Sequence, residues 1–232
     1  MLLYLPIAVF GFIALLFGFQ RVRKRRSLLS RQQNTGTPTH LAESGNHCIC
    51  PDSLRRLLNV CIVLGSGGHT TEILRLVKEL SPTVYARRHY VMAASDNMSE
   101  QKLMAFESEV MAGTFTMHRI PRSREVRQSY LSSIITTLRS IFHCLPLVYN
   151  LGADILLVNG PGTCIPICFW AWILDLFMIQ SCEIVFVESV CRVKSLSLTG
   201  LILYYTPLAD KCIVQWPQLQ RIYKRTIYLG RL

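Results

Sequence analysis

Gly65-Ser66-Gly67-Gly68-His69-Thr70-Thr71-Glu72 gathers glycines, an imidazole and hydroxyls into one short run. Glycines let a backbone turn tightly and approach a ligand, and the free N–H groups at a helix start favour an anion such as phosphate. A tight strand-to-helix turn capped by Thr70 or Thr71 would use two of the same glycines without any ligand. The run is not a P-loop, because no Gly-Lys-Ser/Thr follows. It also misses the dinucleotide fingerprint: Thr70 stands where the third glycine belongs, and no acid closes the next strand before Asp96. His69 lies at the mouth of the turn. A neutral imidazole takes a proton from a hydroxyl nucleophile, and a protonated one binds phosphate. The dipole at a helix start disfavours the cation, which suits a base, although a capping or merely packed histidine fits the spacing too.

Other polar clusters recur along the chain. His118-Arg119-Ile120-Pro121-Arg122-Ser123-Arg124-Glu125-Val126-Arg127 can clamp a pyrophosphate or an anionic headgroup, or form a solvated basic loop. Asn159-Gly160-Pro161-Gly162-Thr163 sets another glycine turn before a helical pattern. The carboxylate of Glu188, followed by Ser189, can hold a sugar hydroxyl, orient His69 or pair with Arg192. Gln215-Trp216-Pro217 offers an indole that stacks on a sugar or packs against a partner protein. No Asp-x-Asp pair and no second cysteine pair at zinc spacing accompany these groups, so no metal and no resident cofactor is expected.

The elements that must position these groups alternate. Val60–Leu64, His89–Ala93, Phe115–Ile120, Ile155–Val158, Ile184–Val187 and Lys211–Gln215 read as strands, with a last one at Thr226–Leu229. Several are apolar throughout, as parallel strands covered on both faces are. Thr70–Leu80, Ser99–Met111 and Ser129–Tyr149 read as helices, the last bent or ended near Pro146. This order predicts a doubly wound parallel sheet with right-handed crossovers, where ligands bind beyond the carboxyl ends of the strands. Each cluster above falls just after a strand. Residues 163–182 are nearly all apolar and read as a buried or membrane-skimming helix rather than a second crossing, because Asp175 interrupts them.

The 232 residues suit one α/β domain with extras, and a chain half hydrophobic and 17% charged is not a disordered one. The net charge of +11 is uneven, since Arg21, Arg23, Lys24, Arg25 and Arg26 stand together, and no nucleic-acid-binding signature accompanies it. Met1–Phe19 carries no charge and is long enough to cross most of a hydrocarbon core. The basic cluster follows that run, so a stop-transfer anchor with its C-terminal side in the cytosol is expected rather than a cleaved signal peptide. The organisation expected is a transmembrane anchor at 1–20, a basic flank and flexible tether at 21–58, and a Rossmann-like domain at 59–232. Nine cysteines, odd in number and mostly inside apolar runs, fit a reducing compartment.

Taken together, Gly65-Ser-Gly-Gly-His-Thr-Thr-Glu-Ile, His118-Arg-Ile-Pro-Arg-Ser-Arg-Glu-Val, Asn159-Gly-Pro-Gly-Thr-Cys, Val187-Glu-Ser-Val-Cys-Arg-Val, Gln215-Trp-Pro and Tyr228-Leu-Gly-Arg closely resemble one family. It is the asparagine-linked glycosylation protein fourteen family, the membrane-anchored subunits of the two-part UDP-N-acetylglucosamine transferase of dolichol-linked oligosaccharide assembly. The blocks run in family order from about residue 59 to the C-terminus, while the tether is longer than the family usually has.

The resemblance implies the acceptor-binding half of a GT-B glycosyltransferase, similar to the bacterial enzyme that adds N-acetylglucosamine to lipid-linked muropeptide. It implies a soluble donor-binding partner of the asparagine-linked glycosylation protein thirteen type, which holds most of the UDP-GlcNAc, at the cytosolic face of the endoplasmic reticulum membrane. The joint reaction adds the second GlcNAc, β1,4, to GlcNAc-diphosphodolichol. Carried onto this chain, His69 and Glu188 become the catalytic candidates. Gly65, Ser66, Gly67, Gly68, Thr70, Arg122, Arg124, Asn159, Gly160, Gly162 and Thr163 become acceptor- and phosphate-binding candidates. Trp216, Tyr228, Leu229, Gly230, Arg231 and Leu232 would dock the partner. A non-catalytic scaffold, a donor-binding half and a membrane-tethered oxidoreductase are the competing readings.

Overall fold

The computed structural model describes residues 57–110, 114–122, 130–160 and 162–231. The expected anchor, nearly all of the tether, Arg124 and Leu232 lie outside them. Segments such as Ile155-Leu-Leu-Val lack the alternation of a half-wet strand, and they sit in a sheet covered on both faces. Its strands are β1 (Asn59–Val63), β2 (Arg87–Ala93), β3 (Thr114–Ile120), β4 (Ile155–Val158), β5 (Glu183–Val187), β6 (Lys211–Val214) and β7 (Ile227–Tyr228). The order is β3-β2-β1-β4-β5-β6-β7, with every pair parallel. Six helices are described: α1 (Gly68–Lys78), α2 (Asn97–Val110), α3 (Tyr130–Leu151), α4 (Cys164–Leu176), α5 (Leu198–Tyr205) and α6 (Pro217–Ile222).

The strand order reverses between β1 and β4, which pair from Val60↔Ile155 to Val63↔Val158. One face of the sheet buries Val60, Ile62, Tyr90 and Met92 against Ile73 and Val77 of α1 and Leu103 of α2. The other buries Cys61, Val63 and Val91 with Val148 of α3, Ile167 of α4 and Leu203 of α5. Thr70, Ile73, Leu74 and Val77 recur at the spacing that gives α1 its single buried stripe.

Two details differ from expectation. β2 begins at Arg87 rather than His89, because the Arg88 side chain is fully buried and makes two bonds to Glu107 of α2: Nε to Oε1 at 3.0 Å and Nη2 to Oε2 at 2.9 Å. A pattern of apolar residues gives no hint of a paired arginine inside a sheet. α3 is not ended by Pro146 and runs on to Leu151. The proline removes one backbone donor, but the Trp170 indole of α4 donates to the Ile141 carbonyl at 2.6 Å and pins the adjoining turn. The apolar stretch 163–182 holds α4, which stops at Leu176 before Met178, a residue with φ of 58°. Among the described residues no helix is long and apolar enough to cross a membrane.

Cys61, Cys144, Cys164, Cys168, Cys182 and Cys212 are buried thiols, and Cys191 is an exposed one. Burial pushes the Cys144 and Cys212 thiols up to about 11, which keeps them protonated and unreactive.

Candidate active site at the sheet switch point

Loops leaving adjacent strands diverge where the strand order reverses, and a crevice opens between them. The Gly65–His69 turn leaves β1, Asn159-Gly160 leaves β4, and Glu188-Ser189 leaves β5. Gly67 is the N-cap of α1 with φ 67° and ψ −119°, a backbone shape that only glycine holds without strain. No side chain caps α1, so neither threonine plays the capping role that the sequence allowed. Thr70, expected among the phosphate-binding residues, is fully buried behind the turn. Its hydroxyl donates to the Gly65 carbonyl and meets Ser99 Oγ at 2.6 Å. Ser99 in turn bonds the carboxylate of Asp96. The hydroxyls at 70 and 99 therefore fix the turn's carbonyl, and Gly67 and Gly68 at the start of α1 are exposed.

His69 is half-buried in the first turn of α1, with Nδ1 2.7 Å from Asn159 Oδ1. The amide nitrogen of Asn159 donates to Glu72 Oε2 at 3.0 Å, and Ser189 Oγ donates to Glu72 Oε1 at 2.8 Å. Glu72 thus ties together the loops after β1, β4 and β5. Sequence reasoning did not single it out, although its place three residues beyond His69 puts both on one helix face. Gly160 has φ of 81°, and a β-carbon there would stand 2.4 Å from His69 Cε1. Its first use is thus room for the imidazole rather than contact with phosphate. Gly160→Ala should push the ring off Asn159 and lower any reaction that depends on His69 by about 10²-fold. The check is the change in the His69 ring ¹⁵N signals alongside the rate.

Lys102 of α2 was also missed. Its Nζ donates to the Gly67 carbonyl and to Thr71 Oγ1, both at 3.0 Å, which sets an ammonium beside the glycine turn. No spacing along the chain shows this, because it depends on α2 packing beside α1.

Glu188 is fully buried, and its carboxylate is engaged away from His69. Oε1 accepts from the Ser189 backbone N–H at 3.0 Å, and Oε2 accepts from Ser197 N at 2.8 Å and Ser197 Oγ at 3.0 Å. Burial pushes this carboxyl above its ordinary range, against the lowering effect of those hydrogen bonds and of Arg192. A β-carbon at Gly200 would stand 2.4 Å from Oε2, so α5 begins hard against the carboxylate. Glu188 braces the loop 188–197, and the side chain that orients His69 is Asn159.

The remaining candidates spread outward. Arg122 is half-buried at the end of β3, two strand spacings or about 10 Å from β1. Thr163 is the buried N-cap of α4, with Gly162 open beside it. Trp216 donates its indole N–H to the Val190 carbonyl at 2.7 Å, and the Arg231 guanidinium lies 3.9 Å over its ring. One face of that indole is thereby covered by the chain's own tail. Tyr228 pairs with Val214 in β7, beside an exposed Leu229 and a Gly230 with φ of 102°.

A seven-stranded parallel sheet with its polar groups at the β1/β4 switch point resembles part of a GT-B glycosyltransferase fold. MurG of Acinetobacter baumannii matches 69% of this chain with a TM-score of 0.50 and 16% identity, and this chain spans 42% of that one. The family model described as "Oligosaccharide biosynthesis protein Alg14 like" matches residues 60–232. Proteins named UDP-N-acetylglucosamine transferase subunit ALG14 are similar as well. The one from Rattus norvegicus is 51% identical over 78% of this chain and 86% of its own length. The Homo sapiens protein is 48% identical over 77% and 84%. The Yarrowia lipolytica protein is 41% identical over 74% and 79%. The chain belongs to the Alg14 family. The word subunit in its relatives' names implies a partner chain.

Proposed function

We propose that this chain is the acceptor-binding, membrane-anchoring subunit of a UDP-GlcNAc transferase that adds the second GlcNAc, β1,4, to GlcNAc-diphosphodolichol on the cytosolic face of the endoplasmic reticulum. A soluble partner of the asparagine-linked glycosylation protein thirteen type supplies most of the UDP-GlcNAc site. The observation that supports this best is the crevice itself. An imidazole held by an amide, beside an exposed helix start, occupies the switch point of a fold that resembles half of a two-lobed transferase. The reaction in this reading is one inverting displacement. The acceptor 4-hydroxyl gives its proton to His69 Nε2 as its oxygen attacks the donor's anomeric carbon, and the bond from that carbon to UDP breaks. The N–H groups at Gly67 and Gly68, with Arg122 and Lys102, hold the acceptor diphosphate. Arg124 is assigned to the same role.

The test is reconstitution. The chain is purified with its co-isolating partner and supplied with UDP-GlcNAc and a GlcNAc-diphospho-polyprenol. Product should form only when both chains are present, and full competence of the lone chain would overturn the reading. Within the same assay, Lys102→Ala should raise KM for the lipid acceptor about tenfold, the scale of one charge-assisted contact, with little change in KM for UDP-GlcNAc.

Docking of the partner is assigned to the C-terminal edge. Among the described residues β7 is an edge strand of the sheet, where a second chain can add main-chain hydrogen bonds. Deleting residues 226–232 should release the partner into the soluble fraction of a membrane preparation. Retention on membranes by the shortened chain would remove the assignment.

A further inference from the structure

We infer that Glu72 is a positioning residue that fixes the tautomer of His69 through Asn159, leaving Nε2 as the nitrogen with the free lone pair. The inference rests on the proposed role of His69 as base and adds what makes that role possible. A neutral imidazole has one N–H and one acceptor nitrogen, and only the acceptor can take a proton. In a free neutral histidine both tautomers are populated. Here the decision is made two residues away from the ring.

Ser189 Oγ accepts from the Cys191 backbone N–H at 3.3 Å, so its single hydrogen goes to Glu72 Oε1 at 2.8 Å. The other carboxylate oxygen, Oε2, has only lone pairs to offer and lies 3.0 Å from the Asn159 amide nitrogen. An Asn159 turned the other way would set its carbonyl oxygen against that carboxylate, two acceptors face to face. The amide is therefore locked with Oδ1 toward His69, 2.7 Å from Nδ1. An amide oxygen donates nothing, so Nδ1 must carry the hydrogen of that bond. Nε2 is then the acceptor. Gly160 completes the device, because the ring occupies the space that any β-carbon at that position would fill.

Donation thus runs from His69 to Asn159 and on to Glu72, while Ser189 donates to Glu72 from the other side, so both arms end on the carboxylate. It needs three loop ends in register. A buried water or a flexible side chain in the same place would leave both tautomers populated.

The measurement is a long-range ¹H–¹⁵N spectrum of the full chain in its two-chain complex, labelled in histidine, with the His69 signals identified by their absence in His69→Ala. The native complex should show Nδ1 protonated and Nε2 bare. Glu72→Gln keeps the volume but can offer either a carbonyl or an amide to Asn159, so the lock is lost. It should give a mixture of tautomers and about a tenfold lower kcat, with KM for the acceptor and the melting temperature near native. A native His69 with its proton on Nε2 would overturn the inference. So would Glu72→Gln with unchanged tautomer populations, whatever its rate. A native Nδ1–H tautomer together with a fully active His69→Ala would instead overturn the base assignment and leave the tautomer result standing.

Discussion

Replacing His69 with alanine is expected to lower sugar transfer by about 10²–10⁴-fold, the usual contribution of a general base, and to leave the partner co-purifying with the chain. The expectation follows from where the side chain sits. It is held at 2.7 Å by Asn159, lies in the first turn of α1 next to the exposed Gly67 and Gly68, and is far in sequence from the C-terminal edge assigned to docking. Its loss takes one donor from the buried Asn159 carbonyl oxygen, a cost of about 1–3 kcal/mol that a typical domain can bear, so the fold should survive. A pure scaffold whose partner performs all the chemistry would lose nothing. Transfer by the reconstituted pair, measured at saturating acceptor, separates the two, and native kcat in His69→Ala would eliminate the imidazole from the reaction.

Arg88→Ala is expected to destabilise the domain by about 3–5 kcal/mol, a large share of the roughly 5–15 kcal/mol that holds a typical domain together. The guanidinium and the Glu107 carboxylate are both buried, and the Tyr90 hydroxyl donates to the same carboxylate. Burial and the neighbouring carboxylate push the Tyr90 phenol far above its ordinary range, so it remains a donor at any physiological pH. Removing Arg88 leaves a carboxylate inside the β2–α2 interface with a phenol as its remaining partner there. Denaturant unfolding followed by circular dichroism reads the loss. Replacing all three groups together, by Arg88→Met, Glu107→Leu and Tyr90→Phe, should recover most of it, because a well-packed apolar cluster carries no desolvation penalty. Equal destabilisation in the triple variant would show that shape rather than charge holds the interface.

The sheet was legible in the sequence because parallel strands buried on both faces are short uninterrupted apolar runs, as in Asn59-Val-Cys-Ile-Val and Glu183-Ile-Val-Phe-Val. The strand following Pro82 was only partly so, since Arg87 and Arg88 look like loop until Glu107 is placed opposite. The short helices α5 and α6 had no expectation attached, one being eight residues and the other six. Of the site, His69 and the two glycine turns were visible as types and spacing. Glu72 and Lys102 were not, because their roles come from neighbours 87 and 35 residues away in the chain. Glu188 was visible as a carboxylate after a strand, but its three possible uses could be separated only by seeing Ser197 fold back onto it.

The bonds that build the crevice join residues 87, 90 and 117 positions apart. Closing such long loops is entropically expensive and slow compared with forming a helix or a hairpin. While the chain is still emerging from the ribosome, β1, α1 and β2 can associate, but the imidazole has no amide to meet until Asn159 arrives and no serine behind it until Ser189 does. A nascent or truncated chain ending before Asn159 therefore carries His69 without its amide, one ending before Ser189 lacks the serine behind Glu72, and the network is completed late in synthesis.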